Sequence, residues 1–267
     1  MVYHQRSLQL VLFLLSASLL FSCTEGQKSN ENSPNEPQTR EYPELFQQVL
    51  DAHGGIEQWN KMRLLEYDLY MDTTFVDHQT IDLKNRKVLL KNEEYSVGFD
   101  GSQVWYIGNE EEFSGGSAKF YHNLQFYFFS LPFAFADPGV IYEELEDREF
   151  QGKTYDVLRF TYESGVGDSP DDEYIIYVDQ ETHQMELLLY TVTYFSGKPE
   201  DKYGARWYSE WQDVNGVKLP LVSRRYKWTG DSLGDLYYPN RYLNVVLKES
   251  EPDQSQFAKP ENAKISD

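Results

Sequence analysis

The sequence predicts a mainly β fold of the α+β class, a twisted antiparallel sheet with an N-terminal helix and a helical insertion in mid-sheet. Three observations predict it. Aromatic residues make up 16% of the 267 residues, with 21 Tyr, 16 Phe and 5 Trp, and flat rings pack well on pleated surfaces. Apolar and polar residues alternate over many short runs, the period of two that half-buried strands require. Short polar links join these runs with no helical crossover between them, which implies antiparallel meanders and not βαβ units.

The elements follow in order. Residues 1–22 read as a signal segment. Arg6, with His4, forms a short basic start, and Leu10–Leu20 is an apolar run, shorter than the roughly 20 residues that span a bilayer. The run ends in Leu20-Phe21-Ser22-Cys23, and Cys23 is the only cysteine, which excludes an intramolecular disulfide framework and a Cys-rich zinc site. This ending resembles the lipobox of bacterial lipoproteins, although Phe21 departs from the small or aliphatic residue usual at that place. The resemblance implies that Cys23 becomes the first mature residue and carries acyl chains such as palmitate. It also implies a lipid anchor in the cell envelope, with Thr24 favouring the outer membrane. A plain signal peptide ending near Ser22 is the other reading. Residues 23–40 hold no large apolar side chain after Cys23 and are rich in Asn, Glu, Ser, Gln and Pro. Such a stretch cannot offset its ordering entropy and reads as a flexible tether with a span of roughly 20–25 Å.

The folded domain is expected over residues 41–248. Tyr42, Leu45, Phe46, Val49, Leu50 and His53 repeat at helical spacing, and Gly54-Gly55 stops that helix. Ile56 to Met62 adds a helical turn, with Trp59 and Met62 as core residues. Strand patterns follow at Leu65–Met71, Gln79–Leu83, Lys87–Lys91, Glu94–Asp100 and Gln103–Ile107. They resume at Thr154–Tyr162, Glu173–Asp179, Met185–Tyr194, Ala205–Trp211, Leu221–Trp228 and Arg241–Lys248. Asp100-Gly101 and Asn215-Gly216 suit hairpin turns. Between the two sets lies the insertion, Ser114 to Leu145. Phe120, Leu124, Tyr127, Phe128, Leu131 and Phe135 share one helical stripe in it, while Tyr121, Phe129 and Phe133 fall elsewhere. A helix apolar on more than one face is buried on both sides or covers a cavity. Ser117 is placed to cap it and Pro132 to end it. The polar tail 249–267 has only Phe257 and Ile265 as large apolar residues and is expected to fray or dock loosely.

The chemistry is narrowed mostly by exclusion. A net charge of −20 argues against nucleic acid as a partner, since phosphate binding needs a cationic face. The motifs G-x-S-x-G, H-E-x-x-H, Walker A and G-x-G-x-x-G do not occur. His53, His78, His122 and His183 have no metal spacing and read as surface or packing residues. The acidic loop around Asp168, Asp171, Asp172 and Glu173 lacks EF-hand spacing and reads as solvated, as does Glu110–Glu112. Glu143, Glu144, Glu146 and Asp147 offer paired carboxylates for acid/base work, but nothing in one sequence shows them buried. The chain is therefore expected not to be an enzyme and to need no cofactor or metal.

The aromatic surplus either completes the core or lines an apolar groove on one sheet face, a setting suited to lipids. Three segments bear on this: VLDAHGGIEQWNKMRLLEYDL (Val49–Leu69), YIIYVDQETHQMELLLY (Tyr174–Tyr190) and WQDVNGVKLP (Trp211–Pro220). They resemble the DUF6503 type of Bacteroidetes lipoproteins, which is similar in pattern to the LolA/LolB superfamily of outer-membrane lipoprotein carriers. The resemblance covers about residues 42–248. It implies a curved antiparallel half-barrel around a helical lid, with a cavity for acyl chains. A protein anchored at Cys23 cannot shuttle freely, so a membrane-anchored receptor for a lipid, another hydrophobic ligand or lipoprotein cargo fits better. The candidate ligand-binding residues are Tyr67, Leu69, Tyr127, Phe128, Phe129, Leu131, Phe133, Trp207 and Trp211. Trp207 and Trp211 are expected on the same face of one strand. The competing expectation is an envelope module that binds a protein or glycan on its sheet surface.

Overall fold

The computed structural model describes residues 40–266, Asp168 excepted. The signal segment 1–22, Cys23 and all of the tether but Arg40 lie outside the described residues.

Helix α1 (Glu44–Ala52) buries Leu45, Phe46, Val49 and Leu50, the stripe its spacing predicts. His53 closes it, and Gly54 and Gly55 follow with φ of 107° and 87°, backbone that glycine adopts without cost. Helix α2 (Ile56–Lys61) comes next and buries Trp59. A first meander then runs through β1 (Leu64–Met71), β2 (Thr74–Asp82), β3 (Val88–Lys91), β4 (Ser96–Phe99) and β5 (Val104–Ile107). The insertion carries α3 (Ala118–Ser130). A second meander runs through β6 (Val140–Phe150), β7 (Lys153–Tyr162), β8 (Tyr174–Asp179), β9 (Met185–Tyr190), β10 (Gly204–Val214), β11 (Val217–Trp228) and β12 (Leu233–Lys248), and β13 (Lys264–Ile265) ends the chain.

These thirteen strands form one curved open sheet, in the order β13-β5-β4-β3-β2-β1-β12-β11-β10-β9-β8-β7-β6. All its pairs are antiparallel. The two meanders join where β1 pairs with β12. Consequently β5 and β6 stand at opposite flanks of the sheet, and the insertion between them has to cross one face. That inner face carries the main core, built from α1, α2, α3 and the strands beneath them. A second apolar cluster, including Phe150, Tyr155, Tyr177 and Leu187, lies apart from it.

Helix α1 is fastened to a turn distant in sequence. The turn between β10 and β11 has Asn215 and Gly216 at φ of 50° and 77°, the pair a two-residue hairpin favours. Lys218 N donates to His53 O at 2.8 Å, and Gln58 Nε2 donates to Asn215 O at 2.7 Å. A Cβ on Gly54 would meet Gly216 O at 2.1 Å, so the helix end and the turn approach closely enough to require glycine. His53 is fully buried. Its Nδ1 donates to Val49 O at 2.8 Å, and its ring meets Trp211 edge-on at 4.7 Å.

Three expectations are corrected. The insertion is shorter than Ser114–Leu145, because β6 begins at Val140. Strand β6 escapes sequence patterning because it is an edge strand, largely exposed, with Glu143, Glu144, Glu146 and Asp147 all exposed along it. Charges there guard an open edge, and Glu143 pairs with Arg159 of β7. The tail does not fray. Phe257 is completely buried, Trp105 Nε1 donates to Phe257 O at 3.0 Å, and β13 pairs with β5. One anchoring aromatic and a backbone pairing hold an otherwise polar segment, so the domain extends through residue 266.

Burial pushes the His53 imidazole down to about 4 from its ordinary 6.5, with Lys218 adding to the effect and the bond to Val49 opposing it. Its folded pKa lies below its unfolded one, so the unfolded chain takes up the proton first as pH falls. The contribution is full above pH 6.5 and is lost towards pH 4, about 3 kcal/mol in all. Denaturant unfolding from pH 7 to pH 4 should show that loss in the wild type and not in His53→Gln. Parallel pH profiles for the two proteins would refute it.

Candidate apolar binding cavity

A cavity of about 520 Å³ opens on the inner face beside α3, within the roughly 300–1,000 Å³ of small-molecule sites. One wall is α3 itself. Ser117 Oγ accepts from Phe120 N at 3.3 Å and caps this helix. It presents Phe120, Leu124, Tyr127 and Phe128 to the cavity, neighbours at helical spacing. Opposite stand Ile56 and Trp59 of α2, Tyr42, and Phe133 in the turn that follows α3. Trp59 and Phe133 stack at 4.8 Å between ring centres and 8° between planes. Tyr162, Tyr174 and Tyr194 complete the lining. The floor is therefore aromatic, which suits an apolar ligand.

The other stripe of α3 fixes it to the sheet. Tyr121 reaches Asp77 on β2, donating from its hydroxyl to Oδ2 at 2.6 Å. Tyr95 donates to the same oxygen at 2.7 Å, and Gln79 Nε2 donates to Oδ1 at 2.9 Å. Tyr67 in turn donates to Gln79 Oε1 at 2.5 Å. Asp77 is wholly buried. Burial pushes its carboxyl above the usual range, and the three donors pull it back. Further along α3, Phe129 packs on Tyr67 at 4.3 Å and on Tyr242 at 4.5 Å. Phe128 O accepts from Tyr208 on β10 at 2.9 Å. The helix is thus tied to β2, β1, β12 and β10, while the stripe from Phe120 to Phe128 borders the cavity.

Polar groups sit at particular points of the lining. Arg86 Nη2 contacts both carboxylate oxygens of Asp137 at 2.6 Å, and Lys84 Nζ donates to Asn60 O at 2.7 Å. Asp172 accepts from Thr193 N and Oγ1 at 2.6 and 2.8 Å. Burial pushes its carboxyl up, against those two bonds. The Tyr162 hydroxyl is buried in the wall with no hydrogen-bond partner, and burial raises its pKa. No group of three or more His, Cys, Asp or Glu among the described residues is placed to hold a metal ion.

Residues 62–211 match the model of a family of unknown function, DUF6503. The chain belongs to this family. The resemblance read from the sequence pointed to the same family. No curated protein matches the sequence. Among solved structures, a LolA superfamily protein from Nitrosomonas europaea is similar at 10% identity, over 80% of this chain and 97% of that one, with a TM-score of 0.48. A DUF1329 family protein from Desulfovibrio piger is similar at 12% identity, over 79% and 98%, with a TM-score of 0.45. A domain described as an outer membrane lipoprotein-sorting protein, from Vibrio parahaemolyticus, is similar at 9% identity, over 77% and 97%, with a TM-score of 0.36.

In this DUF6503 protein the nine candidate residues part into three groups. Tyr127, Phe128 and Phe133 line the cavity. Tyr67, Leu69, Phe129 and Leu131 are core residues buried outside its lining. Trp207 and Trp211 do not share a face. Trp207 joins the second apolar cluster, whereas Trp211 packs on the main core and stacks on Tyr208 at 5.8 Å. The cause is a register shift on β10 between Tyr208 and Glu210, since a bulge residue at Ser209 reverses which way the next side chains point. Sequence reasoning missed Tyr42, Ile56, Tyr162, Asp172 and Tyr174 as lining residues. Leu124 and Phe120 were legible, because they share the helical stripe with Tyr127.

Removing one donor from buried Asp77 should loosen α3. Tyr121→Phe is expected to lower stability by about 1–3 kcal/mol and to speed amide exchange in residues 118–130. An unchanged denaturation midpoint would show that the Asp77 cluster does not hold the helix.

Proposed function

We propose that this DUF6503 protein is a membrane-anchored binding protein that holds the apolar part of a lipid, or of another hydrophobic ligand, in the cavity beside α3. The observation that carries the reading is the stripe Phe120, Leu124, Tyr127 and Phe128. It borders a cavity of about 520 Å³, although Phe128 also packs on Tyr190 and Phe120 on Tyr194 and Phe195. A ligand in that cavity would cover the rings that line it, and apolar burial contributes roughly 0.8 kcal/mol per CH₂. A chain of about 14 carbons would then contribute on the order of 10 kcal/mol before the cost of association.

The anchor belongs to the proposal too. Acylation at Cys23, at the end of a tether, would keep the cavity close to a membrane surface, in the cell envelope and on the outer membrane. Lipid or lipoprotein handling there needs no departure from the membrane. A ligand passed between an envelope partner and this cavity would travel only the reach of the tether.

The cavity can be blocked from two walls. Ile56→Trp with Leu124→Trp places indoles from α2 and α3 into the space. Titration with a polarity-sensitive fluorescent fatty acid should show saturable binding by the wild type. The double variant should bind at least about tenfold more weakly with a cooperative thermal transition retained. Equal binding by both proteins would place the ligand elsewhere, and no binding by the wild type would favour the sheet-surface interaction module.

A further inference from the structure

Beneath Phe128 lies a charge that the rest of the molecule does not answer. Arg206 projects from β10 onto the inner face and is 2% exposed. Its guanidinium carbon sits 3.9 Å from the centre of the Phe128 ring. Nη1 donates to Ser223 Oγ at 3.2 Å, while Nε is buried with no hydrogen-bond partner. Burial works against its charge, with the phenol groups of Tyr190, Tyr242, Tyr208 and Tyr238 acting in its favour, and it forms no ion pair among the described residues. Close by on β12, Asn240, which faces Ser223 across the strand pair, has its Oδ1 buried without a partner.

Arginine stays charged when buried, and a buried guanidinium without an anion is expensive. A ring face offsets only part of that cost. Phe128 also lines the cavity, so its ring stands between the cavity and the cation. We propose that the ligand is an amphiphile with a single acyl chain and a compact anionic head, carboxylate or phosphate. It binds head-inward: Phe128 swings aside, and the head takes the open donors of Arg206. This rests on the cavity reading above and names its ligand class. The planar fork of arginine matches both heads. The cations at the cavity rim, Lys84, Arg86 and Lys119, do not supply an equivalent site. Arg86 is paired with Asp137, Lys84 is exposed and Lys119 half-exposed, and a lysine is a point charge without the planar fork of arginine.

The test uses the full-length protein with three probes of equal chain length: hexadecanoate, hexadecyl phosphate and hexadecan-1-ol. At least one anion should bind about tenfold or more tightly than the alcohol, and which one does identifies the head group. Arg206→Met should abolish that preference, leave alcohol binding within about twofold and not lower the thermal midpoint. Relief of an unpaired buried charge offsets the loss of the Ser223 bond and the Phe128 contact, whereas a purely structural Arg206 would lower the midpoint and weaken all three ligands together. Lys84→Met with Lys119→Met should keep the preference. Should Arg206→Met fail to fold, Arg206→Lys, which keeps the charge and loses the fork, should narrow the preference. Equal affinity for all three probes in the wild type overturns the proposal while leaving the cavity reading intact. So does a preference that survives loss of Arg206 or vanishes with the two lysines. Failure of the alcohol and both anions to bind the wild type overturns both.

Discussion

A chain that leaves a sheet near one flank and re-enters it at the other has to cross the face between them. Here β5 and β6 impose that crossing, because the sheet closes its topology at the β1–β12 pair and sends the two ends of the insertion apart. The rest of the inner face follows from it. The crossing segment must be apolar towards the sheet, and a helix satisfies its own backbone while spanning the distance. Its ties are uneven. Tyr121, Phe129 and the Phe128 carbonyl hold it down, while the stripe from Phe120 to Phe128 meets α2 and the turn at Phe133 only across a gap. The cavity is the space left when one helix spans a wide curved sheet that two short helices cannot fill.

The segments from which the resemblance was read are architectural. His53, Gly54 and Gly55 end α1, and Asn215-Gly216 turns β10 into β11. The two meet through the Lys218–His53 bond, the Gln58–Asn215 bond and the close approach of Gly54 to Gly216. Helix α1 is seated by this junction, and through Phe46 it reaches Tyr142 and Phe160 at 5.2 Å each. Those rings lie on β6 and β7, the far flank of the sheet. A junction between two turns far apart in sequence therefore fixes how the first helix docks and says nothing direct about a ligand.

Much of the architecture was legible because strands with one buried face alternate. β1 shows that pattern plainly, and Asn215-Gly216 announced its hairpin by its φ requirement. The missed elements lack such a signal for physical reasons. β6 has no second neighbour and little apolar burial, and the tail is held by a single ring, Phe257, with two residues of pairing. Of the cavity, the α3 stripe was readable from helical spacing. Its opposite wall was not, because Tyr42, Ile56, Tyr162 and Tyr174 come from four stretches of chain, the one before α1 and those of α2, β7 and β8, that only the fold brings together. The bulge at Ser209 shows the limit of periodicity most sharply: one residue moved Trp211 to the face opposite Trp207. Arg206 was equally hidden, since a basic residue in an alternating strand reads as solvent-facing.

The central claim is that the inner face carries a ligand cavity and not a collapsed aromatic core. Native mass spectrometry of the purified protein, followed by organic extraction of the released material, tests this most directly. The account predicts a discrete adduct that extraction identifies as a lipid, lost in the variant whose cavity is filled with tryptophan at Ile56 and Leu124. A protein that stays at its polypeptide mass, before and after challenge with a mixed lipid extract, would contradict it.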